Sequence, residues 1–240
     1  MAKDGKLDAE ELARRLESAL GENLVSLVLY GSAARGTHVA GRSDINLLLV
    51  VRNASVEALH AVTPMMAEWV KAGQPAPLIF SDEEWRSSAD AFPIEVEDMR
   101  DAHRVLAGKD PLDHLTTRRS DLRLELEREV MGKVLRLRTE YAVAAADGKA
   151  LGRLLVHSAS TFFVLLRALL RLTGGAPPAR HDALVKEAAA AAGFDPRAFD
   201  WVLAAMDGKP PAELKPYDPV AGGYVDAMEK LADYVDAMDR

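Results

Sequence analysis

The sequence contains no cysteine, so disulfides and thiolate metal sites are excluded. Aromatic residues are scarce, at 6% of the chain. The net charge is −7 at pH 7, and this negative charge argues against general DNA binding. The uncharged apolar run from Leu154 to Leu166 contains a histidine and is shorter than the roughly 20 residues that span a bilayer, so no membrane contact is expected. The first residues lack the apolar core of a signal peptide, which makes the cytoplasm the expected location.

The composition that remains is typical of a globular protein, with 49% hydrophobic and 28% charged residues in a chain of 240. This length suits one large domain or two small ones. A cluster of turn-forming residues at Gly108-Lys109-Asp110-Pro111 interrupts the pattern, so we predict a boundary there. The expected domains are residues 1–110, with mixed strands and helices, and residues 111–240, which are helical throughout.

One stretch organises the first domain. The apolar run Leu24–Tyr30 predicts a strand, which ends at Gly31. Ser32–Gly36 predicts a short helix, and Gly41-Arg42-Ser43 predicts a turn. Asp44–Val51 predicts a second strand that is almost wholly apolar and therefore central in a sheet. The two strands bring a small loop and two polar side chains to the same edge.

The spacing of these polar residues indicates a nucleotide site. Asp44 and Asn46 are expected on one face of the second strand, because alternate strand residues share a face. Their oxygens suit Mg²⁺, which prefers oxygen ligands together with substrate phosphates. Gly31 permits close approach of the backbone, and the Ser32 hydroxyl with nearby N–H groups can hold a phosphate. The pattern therefore predicts a site for a nucleoside triphosphate with bound Mg²⁺.

Two segments carry a resemblance to a known family, namely Tyr30–Gly36 and Ser43–Leu49. They resemble the polymerase-β-like nucleotidyltransferase superfamily, which includes the minimal and the aminoglycoside nucleotidyltransferases. Its pattern is Gly-Ser followed about ten residues later by Asp-x-Asp. The resemblance covers roughly residues 20–110 and implies an α+β fold: a small mixed sheet with flanking helices, followed here by an all-α helical bundle domain.

The resemblance also implies an activity. Family members transfer a nucleoside monophosphate from Mg²⁺-bound ATP or another NTP to the hydroxyl of an acceptor, which is a small molecule, a protein or an RNA. Here Asn46 stands where the family has its second metal-binding aspartate, so impaired metal binding and turnover are expected. Arg35 and Arg42, which flank the loop, are candidates for contact with the nucleotide. The alternative is an inactive nucleotide-binding or partner-binding module, for example a toxin–antitoxin-type component.

The same resemblance implies a third carboxylate on a later strand, which activates the acceptor hydroxyl and joins Asp44 and Asn46 as a metal ligand. Pro77–Phe80 predicts a third short strand. Alternating residues over Phe92–Met99 predict a fourth strand, and Glu95 is the first candidate on it. Glu97 and then Asp98 are the next candidates. The competing interpretation is that these are solvated residues on an edge strand, which Pro93 favours.

The second domain shows only helical periodicity. A long helix is predicted over residues 114–146, and the segment Lys149–Leu172 is apolar nearly all round, which is typical of a central bundle helix. The last helix, Val220–Met238, carries apolar residues at alternating spacings of four and three. This seam has two possible partners, another helix of the same chain or a second copy in a homodimer.

Overall fold

The computed structural model describes residues 7–36, 44–209 and 212–238. The chain divides into two compact units, one ending at Thr117 and the other beginning at Arg118. The first unit holds a small mixed sheet with helices, and the described residues of the second are helices and their connections. The fold class is therefore α+β, as the sequence predicts.

The first unit contains five helices and four strands in its described residues. The helices are α1 (Ala9–Leu20), α2 (Ser32–Arg35), α3 (Val56–Lys71), α4 (Asp82–Ser87) and α5 (Pro93–Asp101). The strands are β1 (Leu24–Tyr30), β2 (Asn46–Val51), β3 (Leu78–Ser81) and β4 (His103–Gly108). A 3₁₀ turn over Gly21–Asn23 connects α1 to β1.

The sheet has the order β3-β2-β1-β4. Strand β1 pairs antiparallel with both β2 and β4, whereas β2 and β3 are parallel. In this register Tyr30, the last residue of β1, lies opposite Asn46 on one side and His103 on the other. The central position of β1 and β2 explains why both read as apolar runs, since each is covered on both faces.

Two hydrophobic clusters cover the two faces of the sheet. The first combines alternate residues of β1 and β2 with α1 and α3, and includes Leu12, Leu16, Leu27, Leu29, Leu47, Leu49, Val62 and Trp69. The second combines the other set with α4 and α5, and includes Val28, Leu48, Val50, Trp85, Val96 and Met99. Because strand residues alternate between faces, Asn46 belongs to the face of Leu48 and Val50, which α5 covers.

The segment expected to be a fourth strand is a helix. Pro93 occupies the first turn of α5, where the missing N–H is not needed, and buried residues occur on several sides of the helix. The predicted strand over Phe92–Met99 is therefore wrong, and strand β4 follows only at His103. Pro64 lies inside α3, which continues through it as one helix.

The second unit is built from five helices in its described residues, which are α6 (Arg119–Ala144), α7 (Gly148–Leu172), α8 (His181–Ala192), α9 (Asp200–Met206) and α10 (Pro219–Asp236). A 3₁₀ turn over Pro196–Phe199 precedes α9. Helix α7 is the core of this unit, with 13 buried positions among its 25 residues. This agrees with the central place predicted for Lys149–Leu172.

The apolar seam of the last helix is packed within the unit. Tyr224, Met228, Leu231 and Val235 of α10 are all fully buried, and the Tyr224 ring packs edge-on against Phe162 of α7. The intrachain partner thus accounts for this seam. A homodimer remains a prediction that would have to use another surface.

Helix α7 also bears on membrane contact. Among the described residues it is the one helix long and apolar enough to cross a bilayer, judged by length and composition alone. Most of its apolar window is buried inside the protein, which is also the pattern of a central bundle helix.

Candidate functional site

The predicted Gly-Ser loop directly follows β1. Gly31 is buried and has φ +75° and ψ −146°, a conformation that side chains rarely adopt. A Cβ atom at this position would lie 3.2 Å from the Asn46 amide nitrogen. The Arg35 N–H closes the turn by donating to the Gly31 carbonyl at 3.0 Å. The Asn46 side chain therefore lies directly beside Gly31, and the positive φ of the turn favours glycine at this position.

Asp44 and Asn46 lie at the start of β2. Asp44 is exposed and Asn46 is half-buried, with Ile45 between them. The Ile45 N–H donates to the side-chain oxygen of Gln74 at 2.9 Å, which fixes the backbone between the two polar residues. Gln74 lies in the loop that follows α3, and nothing in the local sequence pattern indicated this contact. Arg42 lies outside the described residues.

Tyr30 links this end of the sheet to α5. It lies opposite Asn46 in the register, and burial together with the charges of Glu95 and Asp98 raises its pKa to about 12. Tyr30 also packs against the hydrophobic cluster that contains Val96 and Met99 of α5. Tyr30 and Asn46 thus lie at the same end of the sheet face that α5 covers.

Arg35 has a structural partner. Its Nη2 atom lies 2.6 Å from Oδ1 of Asp98 and donates to the Asp98 carbonyl at 2.9 Å. The two side chains are only 7% and 9% exposed. This ion pair ties α2 to α5 and engages Asp98, one of the candidate third carboxylates, whereas contact of Arg35 with a nucleotide stays a prediction.

The candidate third carboxylate sits on a helix. Glu97 accepts hydrogen bonds from the Thr117 hydroxyl and from Arg100, and Asp98 pairs with Arg35. Glu95 is half-buried on α5. Neither of the later described strands carries an aspartate or glutamate, since β3 reads Leu-Ile-Phe-Ser and β4 reads His-Arg-Val-Leu-Ala-Gly. A strand-borne third carboxylate therefore has no counterpart in the described part of the sheet.

The donor set suits one Mg²⁺ ion better than two. Asp44 supplies a carboxylate and Asn46 a carbonyl oxygen from one short segment, and Mg²⁺ in nucleotide sites is held by one or two such groups plus phosphates and water. Within residues 7–36, 44–209 and 212–238, no cluster of three or more histidine, aspartate or glutamate side chains is placed to hold a metal. Two ions held side by side normally need more carboxylate charge than this.

No protein-family model matches the chain, and no curated protein matches it in sequence. Among solved structures, it is similar to spectinomycin adenyltransferase AAD(9) from Enterococcus faecialis, which was crystallised with ATP and spectinomycin. The TM-score is 0.59 at 13% sequence identity, and the match covers 95% of this chain and 100% of that one. The likeness establishes a shared fold along nearly the whole chain.

Proposed function

We propose that this protein is a nucleotidyltransferase-type protein that binds a nucleoside triphosphate at the Gly31 turn and the start of β2. The observation that carries the proposal is the contact between Gly31 and Asn46, with Asp44 two residues away on the same segment. The fold shared with an adenyltransferase solved with ATP supports it. Ser32 and the backbone of the turn would contact phosphate, and Asp44 with Asn46 would hold Mg²⁺.

The proposed reaction transfers a nucleoside monophosphate to a hydroxyl group. The acceptor oxygen forms a bond to the α-phosphorus, the bond from that phosphorus to the bridging oxygen of the β-phosphate breaks, and pyrophosphate leaves. Glu95 would accept the proton of the hydroxyl. A bound Mg²⁺ would neutralise charge on the phosphates. The remaining contribution of the protein is to position the reacting groups.

We assign the acceptor to the class of hydroxyl-bearing small molecules. The solved relative with this fold was crystallised with spectinomycin, a small-molecule ligand, and the likeness extends over the whole of that chain. Protein and RNA acceptors are the alternatives that the assay must include.

A second candidate is nucleotide binding without transfer. Two points favour it: the second polar residue of the segment is Asn46, where the resemblance implies an aspartate, and no carboxylate lies on β3 or β4. Loss of one negative charge weakens divalent-ion binding, and a base carried by α5 would have to replace one carried by a strand. The two candidates share the nucleotide site and differ in turnover.

Calorimetry of ATP with and without Mg²⁺ tests the shared part. Saturable binding that strengthens with Mg²⁺ and weakens at least tenfold in Asp44→Ala is expected, because Asp44 supplies the carboxylate of the proposed pair that holds Mg²⁺. Binding unaffected by Asp44→Ala would refute the assigned site.

Transfer is tested with α-labelled ATP and a panel of aminocyclitol, protein and RNA acceptors. Asn46→Asp should raise Mg²⁺ affinity by about tenfold and increase any transfer, because it restores a charged ligand. Asn53→Asp is the matched control, since Asn53 is exposed beyond the end of β2 and the substitution makes the same change of charge. If neither the natural chain nor Asn46→Asp labels an acceptor while both bind ATP, the second candidate stands.

A further inference from the structure

The helical unit contains a cleft of about 840 Å³, a volume within the usual range for small-molecule sites. It lies where α6 begins and where α7 and α10 end. The lining residues that matter here are Arg119, Ser120, Arg123, Thr173, Tyr234 and Met238. None of them belongs to the candidate nucleotide site of the first unit.

The cleft is cationic although the chain as a whole is acidic. Arg123 forms an ion pair with Glu127 at 3.0 Å and donates to the Met238 carbonyl at 3.2 Å. Arg119 donates to the Leu172 carbonyl, and no carboxylate of the described residues lies within ion-pair distance of it. Because a guanidinium carries five N–H donors, Arg119 keeps most of its donors for another acceptor. Among the residues that the structure describes, the lining therefore holds one guanidinium with no carboxylate within ion-pair distance.

The beginning of α6 adds to this potential. Arg118 occupies the cap position and makes no side-chain cap hydrogen bond, so the first N–H groups of this 26-residue helix are not capped from within. The nearest carboxylate of the first turn, Asp121, pairs with Arg118 and does not line the cleft. A long helix directs positive potential from its start, and here Arg119 and Ser120 lie at that point.

The rest of the lining is suited to an organic group. Tyr234 is half-buried and Met238 is partly covered, while Leu172 is buried beside them. An aromatic ring with adjacent apolar side chains contacts planar or apolar groups well. The Ser120 and Thr173 hydroxyls lie on the exposed rim.

We propose that this cleft is a second ligand site, which binds a small phosphorylated molecule with an aromatic or apolar body. Arg119 and Ser120 bind the phosphate, and Tyr234 and Met238 contact the body. A guanidinium binds a phosphate through paired, charge-assisted hydrogen bonds, which are stronger than neutral ones. All the residues that carry this proposal belong to the helical unit, and none of them is a residue of the proposed nucleotide site.

Three probes distinguish the features of the ligand. Phenyl phosphate carries both the anion and the ring, inorganic phosphate carries only the anion, and phenol carries only the ring. Titrations of the full chain by calorimetry and ligand-observed NMR, with chelator in place of Mg²⁺, should show phenyl phosphate binding more tightly than either of the others. Phenol binding as tightly as phenyl phosphate, or no saturable binding of phenyl phosphate at millimolar concentration, would overturn the proposal.

Variants locate the site. Arg119→Gln should weaken phenyl phosphate binding about tenfold or more, and Arg119→Lys should weaken it less, because charge is kept while the paired geometry is lost. Arg128→Gln is the control, since Arg128 is exposed on the same helix, pairs with Glu125 and does not line the cleft. Equal losses in Arg119→Gln and Arg128→Gln would refute the assignment, and circular dichroism melting curves confirm that each variant folds.

Discussion

Replacing Asp98 by asparagine should destabilise the first unit by about 3 kcal/mol. The reason is the buried ion pair with Arg35, whose side chains are 7% and 9% exposed and whose charged atoms are 2.6 Å apart. Removing one partner of such a pair typically costs about 3–5 kcal/mol, because the other charge stays buried without its counterion. We expect the lower end, since Arg35 keeps its bond to the Asp98 carbonyl at 2.9 Å.

An exposed ion pair of similar length provides the control. Arg15 and Glu68 are 2.7 Å apart but 42% and 43% exposed. Glu68→Gln should therefore change the free energy of unfolding by less than about 1 kcal/mol. Burial is the variable that separates the two pairs, since the bond lengths are nearly equal.

The assay is urea unfolding followed by tryptophan fluorescence in a Trp201→Phe background. Trp69 and Trp85 are then the remaining tryptophans, and both are buried in the first unit. The midpoint and slope give the free energy of unfolding of that unit. If Asp98→Asn and Glu68→Gln differ by less than about 1 kcal/mol, the ion pair does not stabilise the unit as reasoned here.

Three further predictions concern stability. Gly148→Ala should lower the melting temperature of the helical unit, because the added Cβ would lie 1.7 Å from the Leu214 carbonyl oxygen. Gly132→Ala is the control: a Cβ there has nothing within 4 Å, so the higher helix propensity of alanine should raise the stability by about 1 kcal/mol. Calorimetric melting compares the two variants. The pKa of Tyr30 is raised to about 12, so its contribution to stability is present below pH 10 and is lost between pH 10 and 12. Tyr30→Phe should therefore reduce the loss of stability at alkaline pH. Urea unfolding across that pH range measures the difference. Ser81→Ala should cost about 1 kcal/mol by removing the capping box at the start of α4, and urea unfolding measures this too.

The strands of the sheet could be predicted from the sequence where the local residue pattern and the tertiary environment favour the same structure. Leu24–Tyr30 was predicted as a strand and is β1, because a short apolar run ending at glycine fits a buried central strand. The second predicted strand began at Asp44, whereas β2 begins at Asn46. Both depend on residues close in sequence, which is why they could be found.

The error at α5 has a local cause. Alternation of Ile94 and Val96 with Glu95 and Glu97 imitates the period of a strand over four residues, and four residues are too few to separate the two periods. Pro93 is compatible with an edge strand and with the first turn of a helix, and here it begins a helix.

The contacts that hold the residues of the candidate site in place could not be predicted from the sequence. The ion pair of Arg35 with Asp98 and the hydrogen bond from Ile45 to Gln74 join segments far apart in the chain. Their residues carry no periodicity or motif that specifies a partner. The loop itself could be predicted, but the contacts that hold it depend on tertiary structure.

The charge pair behind the Gly31 turn has a consequence for how a ligand would be received. The ion pair with Asp98 and the hydrogen bond to the Gly31 carbonyl hold the backbone from Gly31 to Arg35 in place. Its conformation is therefore fixed on folding and does not depend on ligand binding. Little chain entropy is then left to lose at that spot on association. Differences in affinity among ligands that bind at the turn should accordingly depend on their charge and shape. A substitution of Asp98 that breaks the ion pair should lower the association rate constant of such ligands as well as the free energy of unfolding.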